Sequence, residues 1–294
     1  MNIKEQEELN KKLIKYSKEG NLELVQHSIE QGADIHVQGD AALRVAANDN
    51  HIEVVKYLVK QGADIHVQDD GALRWAADEG CLEAVKYLVE NGADIHAEND
   101  YPLRLASHNG YLEVVKYLVE NGADIHAKDY EPLRLSARRG NLEVVKYLVE
   151  QGSDIHDNND ETLRLASDSN HLEVVKYLVE KGADIHAKDD EALRWAASQG
   201  YLEVIKYLVE QGADIYAQDD GTFKMAALNN RLEVLIYFLF DCQMEIKKET
   251  KDWLLEKNQH QTLELIEKRN LLLKLDKNII QKDAIDKFNK KIKI

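Results

Sequence analysis

Six histidines, His36, His66, His96, His126, His156 and His186, stand at intervals of 30 residues, and so do Arg44, Arg74, Arg104, Arg134, Arg164, Arg194 and Lys224. Imidazole and guanidinium are the side chains that ligate metals, move protons and grip anions. A shared metal centre fails on geometry. Ligands of one zinc lie about 2 Å from it, whereas side chains on stacked helical units sit about 8–10 Å apart. No CxxC or HExxH motif is present. No metal or other cofactor is therefore expected, and each His is read as holding its own loop. A metal-dependent or pH-sensing protein built on the His series is the competing reading. The basic series is expected to pair within the array, with the Asp34 to Asp214 turn series as acceptors, because unpaired Arg beside apolar neighbours is costly. A stripe that binds anionic partners is the alternative. Catalysis finds no footing: there is no Gly-x-Ser-x-Gly elbow, Walker loop or Rossmann glycine fingerprint. Acidic pairs such as Asp69-Asp70 and Asp189-Asp190 read as solvated turn residues rather than as general acid–base pairs.

The elements that position these residues repeat with the same ruler. Gly-Ala-Asp-Ile-His begins at Gly32, Gly62, Gly92, Gly122 and Gly182, with variants at Gly152 and Gly212. Leu-Glu-Val-Val-Lys-Tyr-Leu-Val-Glu recurs at 112–120, 142–150 and 172–180. A fixed period of this length is the signature of a linear array of supersecondary units. Each unit reads as two short helices. The first contains Ala-Leu-Arg-Trp-Ala-Ala at 192–197 and its equivalents, preceded by an Asp that is expected to cap it. Pro102 and Pro132 fall where a first-turn proline is tolerated. The second helix carries the stripe Leu172, Val175, Leu178, Val179, with Glu173 and Lys176 on the opposite face. Tyr57 to Tyr237 in that helix read as core or inter-unit packing, and Trp75 and Trp195 as core. Gly20, Asn50, Gly80, Gly110, Gly140, Asn170, Gly200 and Asn230 mark a turn that demands positive φ, and the Gly of Gly-Ala-Asp ends the second helix.

These residues resemble the ankyrin repeat. Tyr101-Pro-Leu-Arg-Leu-Ala106 and Glu131-Pro-Leu-Arg-Leu-Ser136 are similar to the family's Thr-Pro-Leu-His-x-Ala, and Gly140 to Glu150 with Gly152 is similar to its second helix and turn. The likeness covers roughly 11–240. Ile-His after Gly-Ala-Asp, with Tyr in the second helix, is similar to ankyrin arrays of giant DNA viruses of amoebae (mimivirus-like). The resemblance implies an all-α solenoid of stacked helix-turn-helix units and a protein–protein interaction scaffold, with a host protein as partner if the viral likeness holds. It also implies an alternative, a ubiquitin-ligase adaptor whose C-terminal segment recruits the ligase. The period is 30 where the family's is 33, so the hairpin between units is expected to be clipped to a short loop. The expected organisation is an N-terminal capping repeat at 1–40 and seven full repeats at 41–240. A degenerate capping repeat follows at 241–270, where Trp253 falls on the repeat's Leu position, and 271–294 form a helix with a lysine-rich tail.

Composition narrows the partners. The net charge is −16, and residues 1–240 hold 25 Lys+Arg against 44 Asp+Glu. Such a body repels nucleic acid. No apolar run reaches the ~18 residues of a membrane span, and two cysteines, Cys81 and Cys242, give no disulfide framework. A monomer in a reducing, intracellular, cytoplasmic setting is expected. Residues the repeat does not dictate are the candidates for recognition. Most are acidic or neutral. Arg138-Arg139 stands apart, and with Tyr101, His108, Asn109 and Tyr130 it forms the expected partner-binding island.

Overall fold

The computed structural model describes residues 2–275, which fall into two compact units, Met1–Thr162 and Leu163–Ile294. No strand occurs among the described residues. In the first unit, helix pairs follow one another: α1 (Ile3–Lys18) with α2 (Leu22–Glu30), α3 (Val37–Asn48) with α4 (Ile52–Lys60), α5 (Val67–Asp78) with α6 (Leu82–Glu90), α7 (Ala97–Asn109) with α8 (Leu112–Glu120), and α9 (Ala127–Arg139) with α10 (Leu142–Glu150). Helix α11 (Asp157–Asp168) begins in the first unit and ends in the second. The second unit continues with α12 (Leu172–Glu180), α13 (Ala187–Gln199), α14 (Leu202–Glu210), α15 (Ala217–Leu228), α16 (Leu232–Ile236) and α17 (Lys248–Glu256). Residues 237–241 wind on from α16 as a π-turn, and 260–275 are helical.

Nine-residue helices such as α4, α8 and α10 are shorter than the roughly 12–15 residues at which isolated helices become marginally stable. Packing must hold them. Each buries three side chains, Val114, Val115 and Leu118 in α8, while Leu172 and Val179 of the expected stripe are only half-buried in α12. Facing them, the first helices bury Leu43, Leu73, Leu103 and Leu133 with small residues such as Ala46, Ala76 and Ala106, which allow close approach. The second helices keep Glu-Lys pairs on their solvent side, Glu53–Lys56 through Glu203–Lys206, at 2.7–3.1 Å. One tyrosine of the series bridges repeats: Tyr117 is half-buried and its hydroxyl reaches the Lys86 carbonyl at 3.5 Å.

Two glycine positions have different causes. Gly62 ends α4 at φ +96°, and a Cβ there would meet nothing within 4 Å, so backbone conformation alone selects glycine. Gly80 sits at φ +72°, and its Cβ would lie 2.5 Å from the Tyr111 ring, so space selects it as well. At the same turn the left-handed residues Asn50, Asn170 and Asn230 have φ +58°, +64° and +54°. Asn tolerates that region, whereas a β-branched residue does not. Asn170→Gly should therefore melt like the parent, and Asn170→Val should lose about 1–2 kcal/mol. Equal melting temperatures for the two variants would refute the assignment.

The first unit begins with a capping box, Asn2 accepting from the Glu5 N–H and Glu5 from the Asn2 N–H. In the second unit the 30-residue register holds from Asp220 to Thr250 and then slips by one residue. Thr250 is buried, but the core position is filled by Leu254, fully buried, and not by Trp253, which is half-exposed with the Lys224 ammonium 5.8 Å from its ring. Helical residues 260–275 cross 270 without a break, so the boundary expected there is not a helix end. The tail expectation for 276–294 lies outside the described residues.

Candidate functional site

The link between helix pairs is a left-handed turn rather than a hairpin. In each of α3, α5, α7, α9, α13 and α15 three consecutive residues have positive φ and ψ, for example Gln68, Asp69 and Asp70 at φ 56°, 52° and 54°. Non-glycine residues in this region, all three in each turn except at Gly39 of α3, cost energy, and two side-chain devices hold the turn. The first is a carboxylate relay. Asp94 accepts from the His96 N–H at 2.9 Å, His96 Nδ1–H donates to Asp100 Oδ1 at 2.9 Å, and Asp100 Oδ1 accepts the Asp124 N–H of the next unit at 2.8 Å. Asp40 and Asp70 repeat the pattern within the first unit, Asp190 within the second. Asn10 begins it by accepting the Asp34 N–H, and Thr250 Oγ1–H donates to Asp220 Oδ2 at its end. Asp40, Asp70 and Asp100 thus do not cap their own helices; each ties one unit to the next. Nor is Asp70 a solvated turn residue, since it is buried. His36, His66, His96, His156 and His186 hold their turns through these carboxylates, as expected; the His126 ring does not.

The second device is the Arg series. Arg74 donates to the Gln68 carbonyl and to Glu98, Arg134 to the Lys128 carbonyl and to Glu161, Arg194 to the Lys188 and Asp189 carbonyls and to Gln218. Arg104 pairs with Glu131 and Arg164 with Glu191. Pairing is within the array, as expected, but the acceptors are turn carbonyls and a residue one repeat on, not the Gly-Ala-Asp carboxylates. Arg44 is pushed below its ordinary pKa range by burial, with Asp40 acting against that.

Tyr130 interrupts the relay. It stands where Asp40, Asp70 and Asp100 stand, at φ +57°, and its ring meets His126 edge-on at 4.7 Å. The Asp154 N–H loses the carboxylate that Asp124 has, and the neighbouring Ser153 hydroxyl, in a position otherwise Ala, is buried without a partner. Tyr130→Asp should restore the tie and relieve a bulky left-handed residue, raising stability by about 1–2 kcal/mol. An unchanged or lower melting temperature would show that the ring contact already compensates.

The expected island separates into two places. Tyr101 lies at the start of α7 between two guanidinium groups, 5.8 Å from Arg74 and 4.8 Å from Arg104. Tyr130 lies in its turn. At the other end of the first helices, side chains reach back one unit: Asn109 Nδ2–H donates to the Asp78 carbonyl and carboxylate at 2.8 Å, and Arg139 Nε–H donates to His108 Nε2 at 3.0 Å. That last bond needs a neutral imidazole. Burial and then Arg139 hold His108 below its usual pKa, Arg138 adding to the effect and Asp78 opposing it. Arg138 and Arg139 are exposed, in the last turn of α9 rather than in a loop, where their charge suits the helix dipole. The structure therefore brings together His108, Asn109, Arg138 and Arg139, and leaves Tyr101 and Tyr130 apart from them.

Between the two ends runs a row that the repeat reading assigned to the core. Trp75 is 38% exposed under the Arg44 guanidinium, and Val45, Leu105 and Leu135 at the equivalent positions are half-buried. The signal was available: Leu105 precedes His108 by three residues and so shares its helix face. Among the described residues no group of three or more His, Cys, Asp or Glu is arranged to hold a metal ion, and no helix is long and apolar enough to cross a membrane.

Successive helix pairs tied by a unit-to-unit relay define a helical-repeat protein. A family model described as ankyrin repeats (three copies) matches residues 13–99, 73–129, 103–189 and 137–219. The chain belongs to the ankyrin repeat family. No curated protein matches it. Proteins of this family are in general non-enzymatic interaction scaffolds.

Proposed function

We propose that this chain recognises a protein partner through the solvent face of α5, α7 and α9, with Arg138 and Arg139 as central contacts and His108 and Asn109 beside them. The observation that carries this reading is the half-exposed row Trp75, Leu105, Leu135 ending beside two exposed arginines. Aromatic and Arg side chains are the usual anchors of interfaces, and an acidic surround excludes nucleic acid. Tyr101 and Tyr130 flank the face and are secondary to it. The partner would be a host protein if the chain is viral, met in a cytoplasm by a monomeric array. The test is capture of partners from the native cells by the full chain. Arg138→Glu with Arg139→Glu should weaken capture about tenfold or more with only a small drop in melting temperature, from the lost His108 bond and the charge at the helix end. Lys116→Glu with Lys146→Glu, the same charge change on α8 and α10, should not. Equal effects from both pairs would remove the arginines from the interface.

A second reading, an adaptor whose C-terminal segment recruits ligase machinery, is favoured by the exposure of Leu271, Leu272, Leu273 and Leu275. Deleting 271–294 would then abolish co-capture of the ligase while sparing the client.

A further inference from the structure

The row at the C-terminal ends of α3, α5, α7 and α9 is acidic on its first two helices and then rises in charge from α5 to α9. Asn48-Asp49 carries one negative charge, Asp78-Glu79 two, His108-Asn109 none with the imidazole neutral, and Arg138-Arg139 two positive charges. Glu79, Asn109, Arg138 and Arg139 are exposed, and Asp78 and His108 are half-buried. The Asn109–Asp78 and Arg139–His108 bonds hold one charged side chain at each end, Asp78 and Arg139, from repeat to repeat. Adjacent first helices lie about 8–10 Å apart, which puts the negative and positive ends roughly 20 Å from each other. Trp75, Leu105 and Leu135 run beside this row on the same face, each three residues earlier in its helix.

Resting on the recognition reading above, we infer that the partner segment is itself polar in charge. It carries a basic cluster that meets Asp78 and Glu79, an acidic cluster that meets Arg138 and Arg139, and apolar side chains between that cover Trp75 and Leu105. A segment of one sign would meet repulsion at one end, which costs specificity as well as affinity. The two charged ends therefore set the register and the direction in which the segment lies, while the apolar row supplies contact area.

The probe is a random 20-residue peptide display library selected on the full chain. Enriched peptides should carry one basic and one acidic cluster separated by apolar residues. Arg138→Glu with Arg139→Glu should weaken those peptides about tenfold or more and enrich others with basic clusters at both ends. Reversing both ends, by adding Asp78→Lys and Glu79→Lys, should return the original peptides to within about threefold of their starting affinity, because the same segment can lie in the opposite direction. A merely structural loss would not be rescued this way. Enriched peptides with a single charge cluster, no enriched peptides, or no rescue in the doubly reversed and normally melting array would overturn the inference. If native partner capture still depends on Arg138 and Arg139 in that event, the recognition reading stands and only the charge order of its partner falls.

Discussion

Deleting residues 241–294 is expected to strip hydrogen-exchange protection from 221–240 and to make the chain aggregate, while 71–150 stay protected. The segment supplies contacts that the last repeat cannot make alone. Thr250 Oγ1–H donates to the buried Asp220 carboxylate at 2.6 Å, Arg269 Nε–H to the Leu239 carbonyl at 2.8 Å, and the Glu245 N–H to the Tyr216 hydroxyl at 3.1 Å. Phe238, Leu239, Met244 and Leu254 are buried in the same region. The deletion removes Met244 and Leu254 and so uncovers Phe238 and Leu239, at about 1.5–3 kcal/mol each. Because a repeat contacts only its neighbours, the damage should start at that end. A soluble truncation with unchanged protection at 221–240 would refute a capping role for 241–275.

Asp100→Ala should destabilise by about 3 kcal/mol, because it removes a charge-assisted hydrogen-bond acceptor and places alanine in left-handed space. Asp100 is buried, binds His96 and the Asp124 N–H, and has φ +54°. Asp100→Asn should lose roughly half as much, since its amide oxygen still accepts and Asn tolerates the conformation. Equilibrium denaturation of the two variants separates the contributions. Equal losses would mean that charge, not backbone conformation, dominates. A negligible loss in Asp100→Ala would discard the relay as a source of stability. Tyr130→Asp is the same experiment run in reverse, at the position where the chain already lacks the carboxylate.

Much of this was legible in the sequence. Period, helix pairing, the positive-φ turn at Asn170 and the loop role of His96 follow from residue type and spacing, because each depends on local backbone preference or on a pattern repeated many times. What could not be read was the destination of side chains that cross between units. Asp100 looked like a helix cap because nothing in a single unit reveals the N–H 24 residues ahead that it accepts from. Arg134 looked destined for a nearby Asp, but its acceptor Glu161 stands one unit on. Trp75 looked buried because its repeat position is apolar, yet an Arg from the preceding unit covers only one of its faces and the rest meets solvent. Arg138 and Arg139 were visible as an anomaly of composition. The graded row they terminate was not, since charge order across α5, α7 and α9 acquires meaning only when those helices lie side by side.

The relay also bears on how such a chain changes over time. Each typical unit offers one carboxylate forward and one N–H backward, and carries its own His and Arg to hold the turn. A tandem duplication or loss of one unit's coding sequence therefore leaves no donor or acceptor mismatched, provided the cut respects the 30-residue period. Near-identical segments such as 112–120, 142–150 and 172–180 are also the substrates on which unequal recombination acts most readily. Length can thus evolve by counting rather than by redesign, and each step moves the graded charges of a binding face nearer together or farther apart by about 8–10 Å.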